Sequence, residues 1–194
     1  MKESGNILFC GVGGQGILLA SEITAYALLE AGFDAKKSEV HGMAQRGGSV
    51  VAHLRFGEKV YSPLIDLGQV DFMVAFEMME SVRYLPFLHE KSQVIVNTHT
   101  IAPPSVATGK TTYPENLLAN FSRHNISHLP IDGAAIGHKV GEIRAANVAL
   151  VGALSNFLPV QKELFLEVMK KRLPTKILDV NLKAFAEGSK VSGQ

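Results

Sequence analysis

The chain has 194 residues, 46% of them hydrophobic, with 19 lysines and arginines against 18 aspartates and glutamates and one cysteine. A formal charge of +1 gives none of the basic footprint that nucleic-acid binding requires. Cys10 by itself excludes an internal disulfide, a four-cysteine iron–sulfur site and a tetrahedral cysteine zinc site.

The length suits one domain over residues 1–194. Its apolar content is high for a lone soluble chain, and a buried subunit interface is one use for the excess. Met1-Lys2-Glu3-Ser4-Gly5-Asn6 lacks the basic start and apolar core of a signal peptide. No run approaches the ~18 apolar residues of a membrane helix, so the expected location is the cytoplasm, with no membrane association.

Asn6-Ile7-Leu8-Phe9-Cys10 is a short apolar run closed by glycines, which suits a buried parallel strand. The loop Gly11-Val12-Gly13-Gly14-Gln15-Gly16 follows. From Ile17 to Ala31 apolar residues recur at helical spacing, and Gly32 is placed as the stop. A second strand is predicted over Asp34 to Val40, then a loop from His41 to Gly48, then a strand from Ser49 to Phe56. Gly57-Glu58-Lys59 leads into Val60-Tyr61 like a hairpin, so part of the sheet is expected to be antiparallel.

Asp71 to Phe76 and Gln93 to Asn97 read as further buried strands, separated by a stretch that begins helically and meets Pro86. Pro103 to Lys110 reads as a loop, Pro114 to Arg123 as a helix and Ile126 to Ile131 as the last core strand. A long helix is predicted from Ala134 to Phe157, against the cost of Gly137, Gly141 and Gly152 at about 1 kcal/mol each relative to alanine. Lys162 to Arg172 and Asn181 to Gly188 read as C-terminal helices, with Pro174 as a breaker between them. The pattern predicts an α/β protein: an open, mainly parallel, Rossmann-like sheet with an antiparallel addition and C-terminal helices.

Gly11-x-Gly13-x-x-Gly16 follows a strand and opens a helix, the context in which backbone N–H groups and the helix dipole bind phosphate. The same glycines also suit a plain tight turn. A dinucleotide site calls for an acidic residue about twenty positions on, and Glu39 stands there. That leaves open a stand-alone NAD(P)- or flavin-binding oxidoreductase, although no hydride-transfer acid or base accompanies it. A nucleotide-sensing scaffold is a third reading.

The loop Ala44-Gln45-Arg46-Gly47-Gly48 is expected beside the first, where Arg46 either contacts phosphate or carboxylate or is a solvated turn residue or interface ion pair. Gly109-Lys110-Thr111 fails as a P-loop, because Pro104 occupies its first glycine position. His124 and His128 cross an expected helix end with no carboxylate nearby in sequence, which is weak support for a metal site. Asp132-Gly133 lacks the leading glycine of a thiamine diphosphate and magnesium motif.

Gly11 to Gly16, Ser38 to Val50 with its His41-Gly42-Met43-Ala44-Gln45-Arg46-Gly47-Gly48 core, and His53-Leu54-Arg55-Phe56-Gly57 together resemble the gamma-type domain of 2-oxoacid:ferredoxin oxidoreductases. The resemblance extends to Asp71 to Glu77 and to the segment carrying Gly141, Arg144 and Asn147, and so covers most of the chain. A free-standing chain of this size with that second loop is most similar to members acting on aryl 2-oxoacids.

The resemblance implies oxidative decarboxylation of a 2-oxoacid with coenzyme A and oxidised ferredoxin, giving an acyl-CoA, carbon dioxide and reduced ferredoxin. It implies a large catalytic partner subunit that carries thiamine diphosphate, magnesium and the iron–sulfur clusters and passes electrons to ferredoxin. This chain would bind no cofactor alone but would help to hold coenzyme A. That role is carried to Gln45, Arg46 and Gly47 and to Gly13, Gly14 and Gln15 within the Gly11 to Gly16 signature. Pyruvate-type relatives have lysines and a serine where this chain has Ala44-Gln45-Arg46.

Overall fold

The computed structural model describes residues 4–41 and 48–191. Six strands form one sheet: β1 (Gly5–Val12), β2 (Asp34–His41), β3 (Ser49–Gly57), β4 (Val70–Ala75), β5 (Leu88–Asn97) and β6 (Ser127–Ile131), in spatial order β2-β3-β1-β4-β5-β6. β1, β4, β5 and β6 run parallel, and β3 is antiparallel to both β1 and β2.

β1 is central because both its faces are apolar. Successive side chains of a strand point to opposite faces. Ile7 and Phe9 enter a core with Ile23 of α1 (Ile17–Glu30), Val148 and Val151 of α6 (Ala146–Leu154), Phe165 of α7 (Lys162–Arg172) and Phe185 of α8 (Thr175–Gly188). Leu8 and Cys10 enter a second core with Met73, Val94 and Val96, closed by Met78 of α2 (Met78–Arg83) and Phe121 of α4 (Ala119–Arg123). Ile7, Leu8 and Phe9 are fully buried, and each stabilises the fold by about 1.5–3 kcal/mol of transfer free energy. α6 is buried from Asn147 to Leu154, which explains its lack of a polar face.

The antiparallel addition is the β2–β3 hairpin, and Val60-Tyr61 forms no strand. Val60 is instead buried, with its N–H donating to the Asp34 carboxylate at 2.8 Å, while Tyr61 is exposed. The long helix expected from Ala134 to Phe157 is broken into α5 (Gly133–Val140), a 3₁₀ turn at Ile143–Ala145, and α6. Gly141 ends α5 with φ 88°, a left-handed conformation that glycine adopts without a Cβ penalty.

The helix expected from Pro114 is confined to α4, because Asn116 adopts φ 53° and no helix can propagate through it. A short helix, α3 (Pro104–Ala107), stands within the predicted loop. α8 begins at Thr175, six residues earlier than the predicted Asn181: Pro174 holds Leu173 extended, ends α7 and serves as the N-cap of α8. Among the described residues, no helix is long and apolar enough to cross a membrane.

Candidate functional site

The order of the sheet reverses at β1 and β4: the chain leaves β1 toward β2 and β3 on one side, then resumes with β4 and β5 on the other. In open α/β sheets ligand crevices form at such a switch point, outside the carboxyl ends of the strands. Here a cleft of 330 Å³ occupies that position. Its floor is Gly14, Gln15 and Gly16; Phe76 just after β4, Asn97 at the end of β5 and His99 beyond it form one side; and the far wall is Ala134, Ile143, Arg144, Ala146 and Asn147.

The glycine signature divides into positions with different work. Gly11 is a buried strand residue paired with Val50, and a Cβ there would stand 2.8 Å from both the Gln15 Oε1 atom and the Phe76 Cβ. Gly13 donates its N–H to the Gly48 carbonyl at 2.9 Å. Gly14 faces open space, with no atom within 4 Å of where a Cβ would lie. Gly16 is the N-cap of α1 at φ 80°, and a Cβ there would fall 2.1 Å from Asn147 Nδ2. α1 has neither a side-chain cap nor an acidic residue in its first turn, so no carboxylate there offsets the positive end of its dipole.

Gln15 lines the cleft, but its amide is already committed. The Oε1 atom accepts from Val12 N at 2.7 Å, and Nε2 donates to the Phe76 carbonyl at 2.8 Å. Asn97 donates to the same carbonyl at 3.2 Å and accepts from Gly133 N at 3.1 Å. Two amide side chains thereby tie the ends of β1, β4 and β5 to the start of α5. Gln15 holds the loop's shape, a role not distinguishable in sequence from ligand contact.

Gln45, Arg46 and Gly47 lie outside the described residues. The residue after them, Gly48, accepts from Gly13 N in the glycine loop, and Ser49, which opens β3, pairs with Val12. In the sheet β3 separates β2 from β1. That separation removes the dinucleotide arrangement. Glu39 lies two strands from β1, at the level of Ala52 and Phe9, and pairs with Lys37 at 2.5 Å.

In the sequence Arg144 and Asn147 stand only within the segment of family resemblance, with no role at a cleft. The signal was available in Gly137 and Gly141. A Cβ on Gly137 would stand 2.7 Å from the Ile143 Cα, so only glycine lets that backbone approach, and Gly141 turns the chain back. Arg144 and Glu142 pair at the rim, Nε to Oε1 at 3.2 Å. The hydrogen bond from Arg144 holds the Glu142 carboxyl below the usual range, and the same bond pushes the guanidinium up.

On the other face of the sheet Glu77 caps α2, accepting from Glu80 N at 2.9 Å, Ile101 N at 3.1 Å and the Tyr113 hydroxyl at 2.5 Å. Burial, then the hydrogen bond to Glu77, push the Tyr113 hydroxyl up. Cys10 is fully buried, and burial followed by the charges of Glu80 and Glu77 raises its thiol well above the ordinary value. A thiol so placed is neither a nucleophile nor a metal ligand at neutral pH. Among the described residues no three His, Cys, Asp or Glu side chains gather as a metal site, and His124 lies in the turn after α4 while His128 lies in β6.

The family model described as pyruvate ferredoxin/flavodoxin oxidoreductase matches residues 6–191. The chain is 41% identical over 187 residues to indolepyruvate oxidoreductase subunit IorB of Archaeoglobus fulgidus, covering 94% of this chain and 92% of that one. The gamma subunit of a keto/oxoacid ferredoxin oxidoreductase from Geobacter sulfurreducens superposes with a TM-score of 0.72 at 24% identity, covering 96% of each chain. A 2-oxoglutarate:ferredoxin oxidoreductase from Magnetococcus marinus, solved with 2-oxoglutarate, coenzyme A and succinyl-CoA, superposes with a TM-score of 0.77 at 19% identity, over 98% of this chain and 31% of that one. At these identities the two structures establish the shared fold.

Proposed function

Because the chain belongs to the pyruvate ferredoxin/flavodoxin oxidoreductase family, we propose that it is the non-redox subunit of a cytoplasmic complex that oxidatively decarboxylates an aryl 2-oxoacid, indolepyruvate. In that reaction the 2-oxoacid, coenzyme A and oxidised ferredoxin give an acyl-CoA, carbon dioxide and reduced ferredoxin. The substrate assignment rests on the relative from Archaeoglobus fulgidus, which matches over nearly its full length.

A larger partner subunit supplies thiamine diphosphate, magnesium and the iron–sulfur clusters. The side chains of this chain do not fit those groups, with a single cysteine sealed in the core and no thiamine diphosphate motif. Its contribution is binding and orientation. The observation that carries this reading is the 330 Å³ cleft at the β1/β4 switch point, floored by Gly14, Gln15 and Gly16. One end of coenzyme A lies there, so that its thiol is presented to the partner's reaction centre. Gly14, Gln15 and Gly16 form the cleft's floor, and the coenzyme A role proposed for the Gly11 to Gly16 signature extends to Gln45, Arg46 and Gly47.

Reconstitution tests the assignment. The purified chain and its large partner, each inactive alone, should together reduce ferredoxin with indolepyruvate and coenzyme A. A partner that reaches full turnover without this chain, or that does not copurify with it, would refute the reading.

A further inference from the structure

The cleft's rim carries a cation. Arg144 stands on the 3₁₀ turn with its side chain 89% exposed, and the guanidinium pairs with Glu142, through Nε at 3.2 Å and Nη2 at 3.4 Å. Glu142 is fixed from two sides: its carboxylate accepts from Arg144 N at 3.1 Å, and its own N–H donates to the Gly137 carbonyl at 2.9 Å. The carboxylate is therefore a built-in anion seated on the guanidinium. A solvent-exposed pair of this kind contributes little, because water and salt screen it. A phosphate offers up to about two negative charges and three acceptor oxygens in a geometry the guanidinium matches bidentately.

The rest of the cleft limits what accompanies that phosphate. At 330 Å³ it lies at the small end of ligand pockets, room for one end of coenzyme A and not the whole molecule. Its walls are apolar at Phe76, Ala134, Ala146 and Ile143, the last 54% exposed, which suits a flat base better than a polar arm. Above Gly14 the backbone is open to approach.

We propose that Arg144 is a specificity-determining residue for the phosphorylated nucleotide end of coenzyme A, and that it exchanges the Glu142 carboxylate for a phosphate of the ligand. The proposal rests on the cleft being part of the coenzyme A site. The phosphate comes either from the ribose 3′ position or from the diphosphate.

Steady-state kinetics of the reconstituted complex separate these cases. Arg144→Gln should raise KM for coenzyme A about tenfold or more with kcat unchanged, the size expected for losing a charge-assisted bidentate contact. Arg144→Lys should raise it less. Glu142→Gln, which keeps an acceptor for Arg144 N, should lower KM, and opposite signs for two neighbours on one turn are not what a structural role produces. With pantetheine as acceptor, which has no nucleotide, Arg144→Gln should have no effect. If the Arg144→Gln penalty disappears with dephospho-CoA the contact is to the 3′-phosphate; if it persists, to the diphosphate. An unchanged KM for coenzyme A in Arg144→Gln, or an equal rise with pantetheine, would overturn the proposal. Ala134→Leu, which fills the cleft, keeps the two readings apart. If it raises KM while Arg144→Gln does not, Arg144 alone is misassigned; if neither does, the cleft is not the coenzyme A site.

Discussion

Replacing Gln15 by leucine separates loop architecture from ligand contact. The substitution removes the 2.7 Å bond from Val12 N and the 2.8 Å bond to the Phe76 carbonyl together. Val12 N then loses its partner in a partly buried place, which costs about 1–3 kcal/mol. The Phe76 carbonyl keeps its bond from Asn97 at 3.2 Å, so its loss is nearer the net value of one hydrogen bond, about 0.5–1.5 kcal/mol. Together the change should destabilise the chain by about 2–4 kcal/mol, or about 5–15 °C in Tm for a domain of this size. Gln15→Glu should fall between wild type and leucine: it keeps an acceptor for Val12 N but sets a carboxylate against the Phe76 carbonyl. Urea titration followed by circular dichroism reads the loss as a lower midpoint at unchanged slope. A leucine variant within about 0.5 kcal/mol of wild type would refute the structural role of Gln15.

Gly16→Ala forces an alanine to φ 80° and sets its Cβ 2.1 Å from Asn147 Nδ2, so about 2–3 kcal/mol should be lost, part of it restored in a double variant with Asn147→Ala, as a double-mutant cycle would read. Gly188→Ala places a Cβ 1.9 Å from the Ala149 carbonyl oxygen on α6, a backbone atom that cannot move aside, and calorimetry should show a loss of about 3 kcal/mol or more. Burial holds His53 below the ordinary histidine range, and its Nδ1 accepts from Ile65 N at 3.2 Å, so the folded state prefers the neutral ring. That contribution is present above about pH 6.5 and is lost as pH falls below it, so the urea midpoint should drop more between about pH 7.5 and 5.5 in wild type than in His53→Gln.

The sequence was most legible where apolar runs met glycine. β1, α1 and α7 stand where their patterns put them, because each element's spacing matches the face it buries, although β1 runs on through Gly11 and Val12 and leaves a shorter glycine loop than the expected Gly11 to Gly16. The sheet order was harder. The β2–β3 hairpin is joined across residues 42–48 rather than by a two-residue turn, and nothing in the alternation of β2 announces that β3 inserts between it and β1. Glu39 therefore looked like a ribose ligand by spacing while standing two strands away.

At the cleft, Gly14 to Gly16 were legible as a loop, but the commitment of Gln15 to Val12 and Phe76 was not, since it depends on β4 lying beside β1. Arg144 was hidden for the opposite reason. Reading residues 134–157 as one helix laid Arg144 along a continuous rod, whereas Gly141 breaks the rod and swings it to the rim.

Hydrogen exchange on the assembled complex, with and without coenzyme A, tests the central claim most directly. Coenzyme A should protect the amides of Gly14, Gln15 and Gly16 on the floor and of Ile143, Arg144, Ala146 and Asn147 on the far wall of the cleft. Protection confined to the partner subunit, with these segments unchanged, would contradict a coenzyme A site on this chain.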